Sequence, residues 1–189
     1  MQDVVDGRGE TVCLISCTSR KGLYPAAAEF IYKSPLFAAG RSYAERRADQ
    51  WFILSAKHGL LLPSDKIAPY DESLHRIDGA GQERWAIKVN DQLKLRIGAK
   101  SKVVFLAGAA YRSRLEPLLR AQGHATAAPM SSLGIGSQVA WLQKVARNEA
   151  RLRDMDRFYV LMRRLAATYA ELPASLGGHT AKSIRPQKG

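Results

Sequence analysis

Lys57, His58 and Gly59 follow at once on the apolar run Trp51-Phe52-Ile53-Leu54-Ser55-Ala56, so a buried segment ends in an ammonium, an imidazole and a glycine. The first two handle protons, and the glycine lets the backbone turn sharply or come close to a ligand. A few residues on, Asp65-Lys66-Ile67-Ala68-Pro69-Tyr70-Asp71 adds carboxylates and a tyrosine. Upstream, Cys17-Thr18-Ser19-Arg20-Lys21-Gly22 is a small polar loop with two cations. Such loops present backbone N–H groups, hydroxyls and a lysine to a phosphate or the edge of a base. This one lacks the glycine pattern of a P-loop. Ala107-Gly108-Ala109-Ala110-Tyr111-Arg112 and Leu133-Gly134-Ile135-Gly136 each lead into a helical pattern. Arg112 opposes the dipole of its helix, which favours an external anion as partner, and the Gly134–Gly136 turn opens a helix start that attracts one. Taken singly, each feature also reads plainly as a capped strand end, a basic turn or close packing at a helix start.

The elements that carry these residues give them a common position. Thr11–Ser16 and Trp51–Ala56 are predicted as buried strands, Val103–Leu106 as a third and His124–Ala128 as a weaker fourth. Between the first two, Pro25–Tyr32 reads as a short helix, favoured by Ala26, Ala27 and Ala28. Ser34 then caps a second helix with Pro35 at its first position. The result is one βαβ unit. Gln82–Ile97 carries Trp85, Val89 and Leu93 on one stripe and stops at Gly98. A helix follows Arg112 to Ala121 with Pro117 in its early turns, another contains Trp141 and Leu142, and an arginine-rich amphipathic helix spans Leu152–Ala170. The order predicts an α/β fold, a three-layer α/β/α arrangement with a four-stranded parallel sheet and right-handed crossovers. Parallel strands place all four strand exits on one side of the sheet. The expected organisation is a single domain over residues 1–172, with the 152–170 helix packed on or beside it, and a flexible basic tail at 173–189.

Twenty-nine Lys and Arg stand against 17 Asp and Glu, a formal net charge of +12. A field of that sign attracts polyanions, nucleic acid first. The arginines are spread through the predicted helices, so the charge belongs to the body and not only to the tail. With 46% hydrophobic residues the chain is globular rather than disordered. It has no apolar run of membrane-spanning length and no signal-peptide pattern at its start, so no membrane partner is expected. Cys13 and Cys17 fall on the same face of one strand, too far apart for an easy disulfide and without a histidine to complete a zinc site. That pattern points to a reducing, cytoplasmic compartment and to no metal.

The blocks Ser16-Cys17…Lys21, Leu36-Phe37…Tyr43-Ala44, Ile53 to Leu60, Pro69-Tyr70-Asp71, Ala107-Gly108…Tyr111-Arg112 and Leu133-Gly134-Ile135-Gly136…Gln138…Trp141-Leu142 together resemble a bacterial and phage family of domains of unknown function, over about residues 11–143. The series Cys17, Lys21, Tyr32 and Ser34 also resembles a motif of the archaeosine synthase core domain, which is similar in fold to the uracil-DNA glycosylases. The Gly-Gln-Asp-Pro-Tyr and His-Pro-Ser-Pro signatures of those glycosylases do not occur in this chain. The resemblance implies a uracil-DNA glycosylase-like fold and an enzyme that works on bases in nucleic acid. One branch of the wider group looks like anti-phage glycosylases that remove modified bases.

Cleaving an N-glycosidic bond builds positive charge on the sugar and negative charge on the departing base, so it needs a carboxylate near the one and donors near the other. On that expectation Asp71 is the carboxylate, and His58 or Lys57 donates to the base. Tyr32 and Tyr70 stack on an extruded base, and Cys17 and Ser19 meet its edge. Lys21, Ser34, Tyr111, Arg112, Gly134 and Gly136 hold phosphate or the nucleic-acid chain. The expected partner is DNA, with RNA as the other polymer, and no cofactor is called for. Two other classes stay open: a non-catalytic DNA-binding protein similar to those of peroxide stress, and a base-modifying transferase. A binder needs the basic surface but neither Asp71 nor His58.

Overall fold

In a computed structural model of the chain, residues 9–170 are described, the side chains of 165–170 excepted. Contacts divide the chain into a unit Met1–Ala146 and a unit Arg147–Gly189. The expected tail at 173–189 lies outside the described residues.

The first unit is built on β1 (Thr11–Ser16), whose residues Val12 to Ile15 are buried. Strands β3 (Gln50–Ser55) and β6 (Lys102–Leu106) pair with it in parallel on its two sides, setting Leu14 opposite both Phe52 and Phe105. Strand β7 (Ala125–Ala127) adds in parallel beyond β6. These four are the parallel strands expected from the apolar runs. The sheet has a fifth member, β4 (Gly59–Leu61), antiparallel to β3, so its order is β4-β3-β1-β6-β7 and it is mostly rather than wholly parallel. The extra strand follows from Gly59, whose φ of +83° permits the tight return. A Cβ at that position would also collide with the Gln92 side chain. The apolar run after the glycine therefore pairs back on β3.

Right-handed crossovers assign the helices to faces. From β1 the chain passes through α2 (Pro35–Arg47) to β3; from β3 it crosses in the opposite direction, through α3 (Gly79–Lys94), to β6. Opposite directions with one handedness put α2 and α3 on opposite faces. The crossover from β6 to β7 continues in the second direction through α4 (Ala109–Arg112) and α5 (Leu115–Ala121), and α5 accordingly packs with α3. On the other face Tyr43 of α2 meets Trp141 in the first turns of α6 (Ile135–Ala170), with ring centroids 5.8 Å apart.

Three local differences from the sequence expectation have physical causes. Pro25–Tyr32 is not one helix: Ala26–Ala27 form β2, a ribbon antiparallel to β5 (Lys66–Ile67), before the single turn α1 (Ala28–Ile31). Tertiary pairing with the 65–67 segment outweighs alanine's helix propensity. The helix after Gly108 is broken into α4 and α5, so Pro117 becomes the third residue of α5 and costs no intrahelical bond. The two expected terminal helices are one continuous α6, since no glycine or proline falls between Ser137 and Ala170.

Candidate functional site

Strands β1 and β6 are neighbours whose outgoing connections leave in opposite directions. That is a topological switch point, where the loops after the two strands part and leave a crevice outside the carboxyl ends. A cavity of about 410 Å³ opens there. Its floor comes from Ser16 to Ser19 after β1 and Leu106 to Gly108 after β6, with Tyr111 beside them. Ile135 and Gln138, at the start of α6, close one side. The stretch Asp71-Glu72-Ser73 with His75 and Arg76 forms the polar side.

Each wall is held by identifiable bonds. The Cys17 thiol and the Tyr111 hydroxyl are 3.1 Å apart, and the Tyr111 ring meets Trp85 edge-on at 5.5 Å. The acidic wall is pinned by the buried Leu74 and by Gln82, whose Nε2 donates to the carbonyls of Leu74 and Ile77 at 2.9 and 3.1 Å. Ser73 caps the 3-10 turn Leu74–Arg76, its Oγ accepting from the His75 N–H. At the α6 entrance the Gln138 amide donates to the Leu133 carbonyl. Thr18 Oγ1, in the cavity wall, is buried with no hydrogen-bond partner among the described residues.

Next to this wall lies a hydroxyl network. Tyr70 Oη is 2.8 Å from Tyr32 Oη and 2.8 Å from Ser55 Oγ, and the Ser55 Oγ accepts the His58 backbone N–H at 3.0 Å. The Trp85 indole donates to the Ser55 carbonyl. Lys21 Nζ sits 4.1 Å from the centroid of the Tyr70 ring, and the His58 ring meets that ring edge-on. Burial pushes the Tyr32, Tyr70 and Tyr111 hydroxyls above the usual tyrosine range, so all three are neutral donors and acceptors at physiological pH. Burial raises the Cys13 thiol to about 12, and both cysteines are free and buried.

The structure brings together Cys17, Ser19, Asp71 and Tyr111 in one cavity, with Gly134 and Gly136 flanking the Ile135 that lines it. Lys57, His58, Lys21 and Tyr70 stand in the adjoining network, not in the cavity wall. Other expected roles need correction. Tyr32 is buried, with its ring against Phe37 at 4.8 Å, and presents no face for stacking. One face of Tyr70 is covered by Lys21. Ser34 caps α2 by accepting from the Phe37 N–H. Arg112 closes the short helix α4 and one terminal nitrogen of its guanidinium bonds Glu116 at 2.9 Å, while its Nε is buried with no hydrogen-bond partner among the described residues. Partial burial pushes the Glu116 carboxyl up, but hydrogen bonds from Arg112, Arg120 and Thr126 outweigh it and hold the carboxyl below its usual value. His58 is shifted down, first by burial and then by Lys57, so it is a neutral imidazole near pH 7 and a poor proton source. Lys57 Nζ pairs with Glu72 at 3.4 Å, and Arg76 pairs with Asp71 at 3.1 Å.

The sequence reading missed Glu72, His75 and Arg76 as wall residues, and it named Thr18 and Gln138 within their loop and block without giving either a role. The polar run 71–76 directly after Tyr70 was a usable signal, since a loop that brings Asp71 to a strand-end crevice brings its neighbours too. Among the described residues no group of His, Cys, Asp and Glu is placed to hold a metal. No helix among them is long and apolar enough to cross a membrane.

Residues 12–144 match the model of the family of unknown function DUF6884. The chain belongs to that family. The matched stretch runs from β1 into the first turns of α6 and contains every cavity wall named above. The chain is also similar to the uncharacterized protein YfjM of Bacillus subtilis strain 168, 31% identical over 153 residues that cover 75% of this chain and 98% of the relative. No solved structure matches it.

Proposed function

We propose that this DUF6884 chain processes a base of a nucleic acid, hydrolysing the N-glycosidic bond of a modified base held in the switch-point cavity. The observation that carries this reading is the composition of the cavity. Carboxylates of Asp71 and Glu72, the His75 imidazole, the Arg76 guanidinium, and the hydroxyls of Ser16, Thr18, Ser19 and Tyr111 face one space of about 410 Å³. That volume lies within the range of small-molecule sites, roughly 300–1,000 Å³. A sugar cation wants a carboxylate, and a departing base wants neutral donors; the Tyr111 hydroxyl, which burial pushes above the usual tyrosine range, supplies one without carrying charge. The unpartnered Thr18 hydroxyl is a group that a bound base edge would satisfy. The net charge of +12 supports a polyanionic substrate. The uracil-DNA glycosylase-like fold and an anti-phage role belong to this same reading, on the sequence resemblance alone.

The second reading, a nucleic-acid binder without chemistry, is favoured by one observation. The Asp71 side chain is 82% exposed and lies against Arg76, and in high dielectric a carboxylate stabilises a nearby cation weakly. Catalysis therefore requires the bound nucleic acid to exclude water over Asp71. The deciding experiment is mass spectrometry of free bases released from DNA and RNA carrying diverse modified bases. Release of one base with a matching abasic product supports the enzyme. Intact polymers that nevertheless bind leave the binder.

A further inference from the structure

The second unit carries apolar side chains left in solvent on α6, of which Val160 and Leu161, 53 and 54% exposed, lie off the stripe that the others form. Leu152, Met155, Phe158, Tyr159 and Met162 are 61, 48, 61, 66 and 48% exposed. At the angular step of an α-helix these five fall within an arc of about 120°. Leu152, Met155, Tyr159 and Met162 recur at alternating intervals of three and four, which is the a and d spacing of a coiled-coil seam. A repeat of about 3.5 residues keeps its stripe in contact with a partner helix that winds around it. Arg151 borders the seam on one flank, and Glu149, Asp156 and Arg163 border it on the other. Arg151 and Asp156 are exposed, and a lipid surface would select against the two acids of the second flank.

We propose that the 147–163 segment of α6 pairs, parallel and in register, with the same segment of a second copy of this chain. Parallel pairing sets Arg151 of each copy against Asp156 of the other, and the twofold axis makes that contact twice. Phe158, next to the seam on the Arg151 side, widens the apolar stripe that the second helix covers. The segment is short for a coiled coil, so the dimer dissociates on dilution.

Sedimentation equilibrium of the full chain tests this. The expected result is a monomer–dimer equilibrium. Met155→Glu places a charge in the seam and gives a monomer whose thermal unfolding is otherwise that of the wild-type monomer. Arg151→Asp turns two attractive contacts into two repulsive ones and raises the dissociation constant about three- to tenfold. Adding Asp156→Arg to it restores the wild-type constant. A wild-type chain that is monomeric at every concentration overturns the proposal, as does a dimer that Met155→Glu leaves intact. Failure of the double variant to recover overturns the parallel register, and binding of the monomer to anionic vesicles through this helix overturns the self-pairing itself.

Discussion

The Ser55 and Tyr70 hydroxyls lie 2.8 Å apart and join the carboxyl end of β3 to the loop that continues into Asp71. Ser55 is fully buried and also accepts the His58 N–H, so one small side chain fixes both the turn after β3 and the ring that precedes the acidic wall.

Ser55→Ala should therefore do two things. It leaves the His58 N–H without its partner and deprives the Tyr70 hydroxyl of one of two, which costs about 1–3 kcal/mol. Denaturant unfolding should register that loss as a lower midpoint at an unchanged slope. It should also loosen Asp71, so ligand affinity in the cavity falls even in conditions where the variant is fully folded. A variant with wild-type stability would show that this hydroxyl network carries no net energy.

The pH dependence of stability follows from His58. Its folded pKa lies below the usual 6.5, so between the two values the unfolded chain holds more protons than the folded one. The His58 contribution is thus present above pH 6.5 and is lost as pH falls through the folded value. Urea midpoints measured from pH 7.5 down to 5 should decline, and His58→Gln should flatten the decline in the upper part of that range. A midpoint that rises on acidification would mean that His58 is charged in the fold, with Glu72 and Asp65 outweighing burial.

The four parallel strands were legible because each is a short apolar run followed by a polar exit, and that pattern survives any tertiary context. The common side of the strand exits was legible for the same reason, and Cys17, Ser19, Asp71 and Tyr111 do line one cavity there, whereas Lys21, His58 and Arg112 do not and the β1–β6 switch point required the strand order. β4 was not, because three apolar residues after a glycine carry no information about which strand they pair with until the turn geometry is known. Arg112 was misplaced because the competing partner is another side chain: Glu116, one turn on, was not weighed against an external anion. Tyr32 and Tyr70 were misassigned for a related reason, since a hydroxyl buried beside other hydroxyls looks in sequence like any exposed ring.

Binding to nucleic acid should be steeply salt-dependent. Each phosphate neutralised by a lysine or arginine releases condensed counterion, so the logarithm of affinity falls in proportion to the logarithm of salt. For a chain of net charge +12, fluorescence anisotropy should show at least a roughly tenfold loss of affinity between about 50 and 200 mM salt. Affinity that stays flat over that range removes nucleic acid from the proposed function.

The acidic wall separates catalysis from binding. Asp71→Asn keeps the shape of the side chain and its reach to Arg76 but removes the charge that would stabilise a sugar cation. If Asp71 is that carboxylate, base release in single turnover should fall by roughly 100-fold or more, equivalent to about 3 kcal/mol in the transition state. Binding should hold or tighten slightly, because one negative charge near phosphate is gone. Glu72→Gln is the matching control, since Glu72 lines the same cavity and its carboxylate is tied to Lys57. Loss of release in Glu72→Gln with full activity in Asp71→Asn moves the role one residue along. Equal release by the wild type and both variants takes the reaction away from this wall, and Asp65 is no replacement, because its carboxylate caps the turn at Leu62 by accepting that residue's N–H at 2.8 Å.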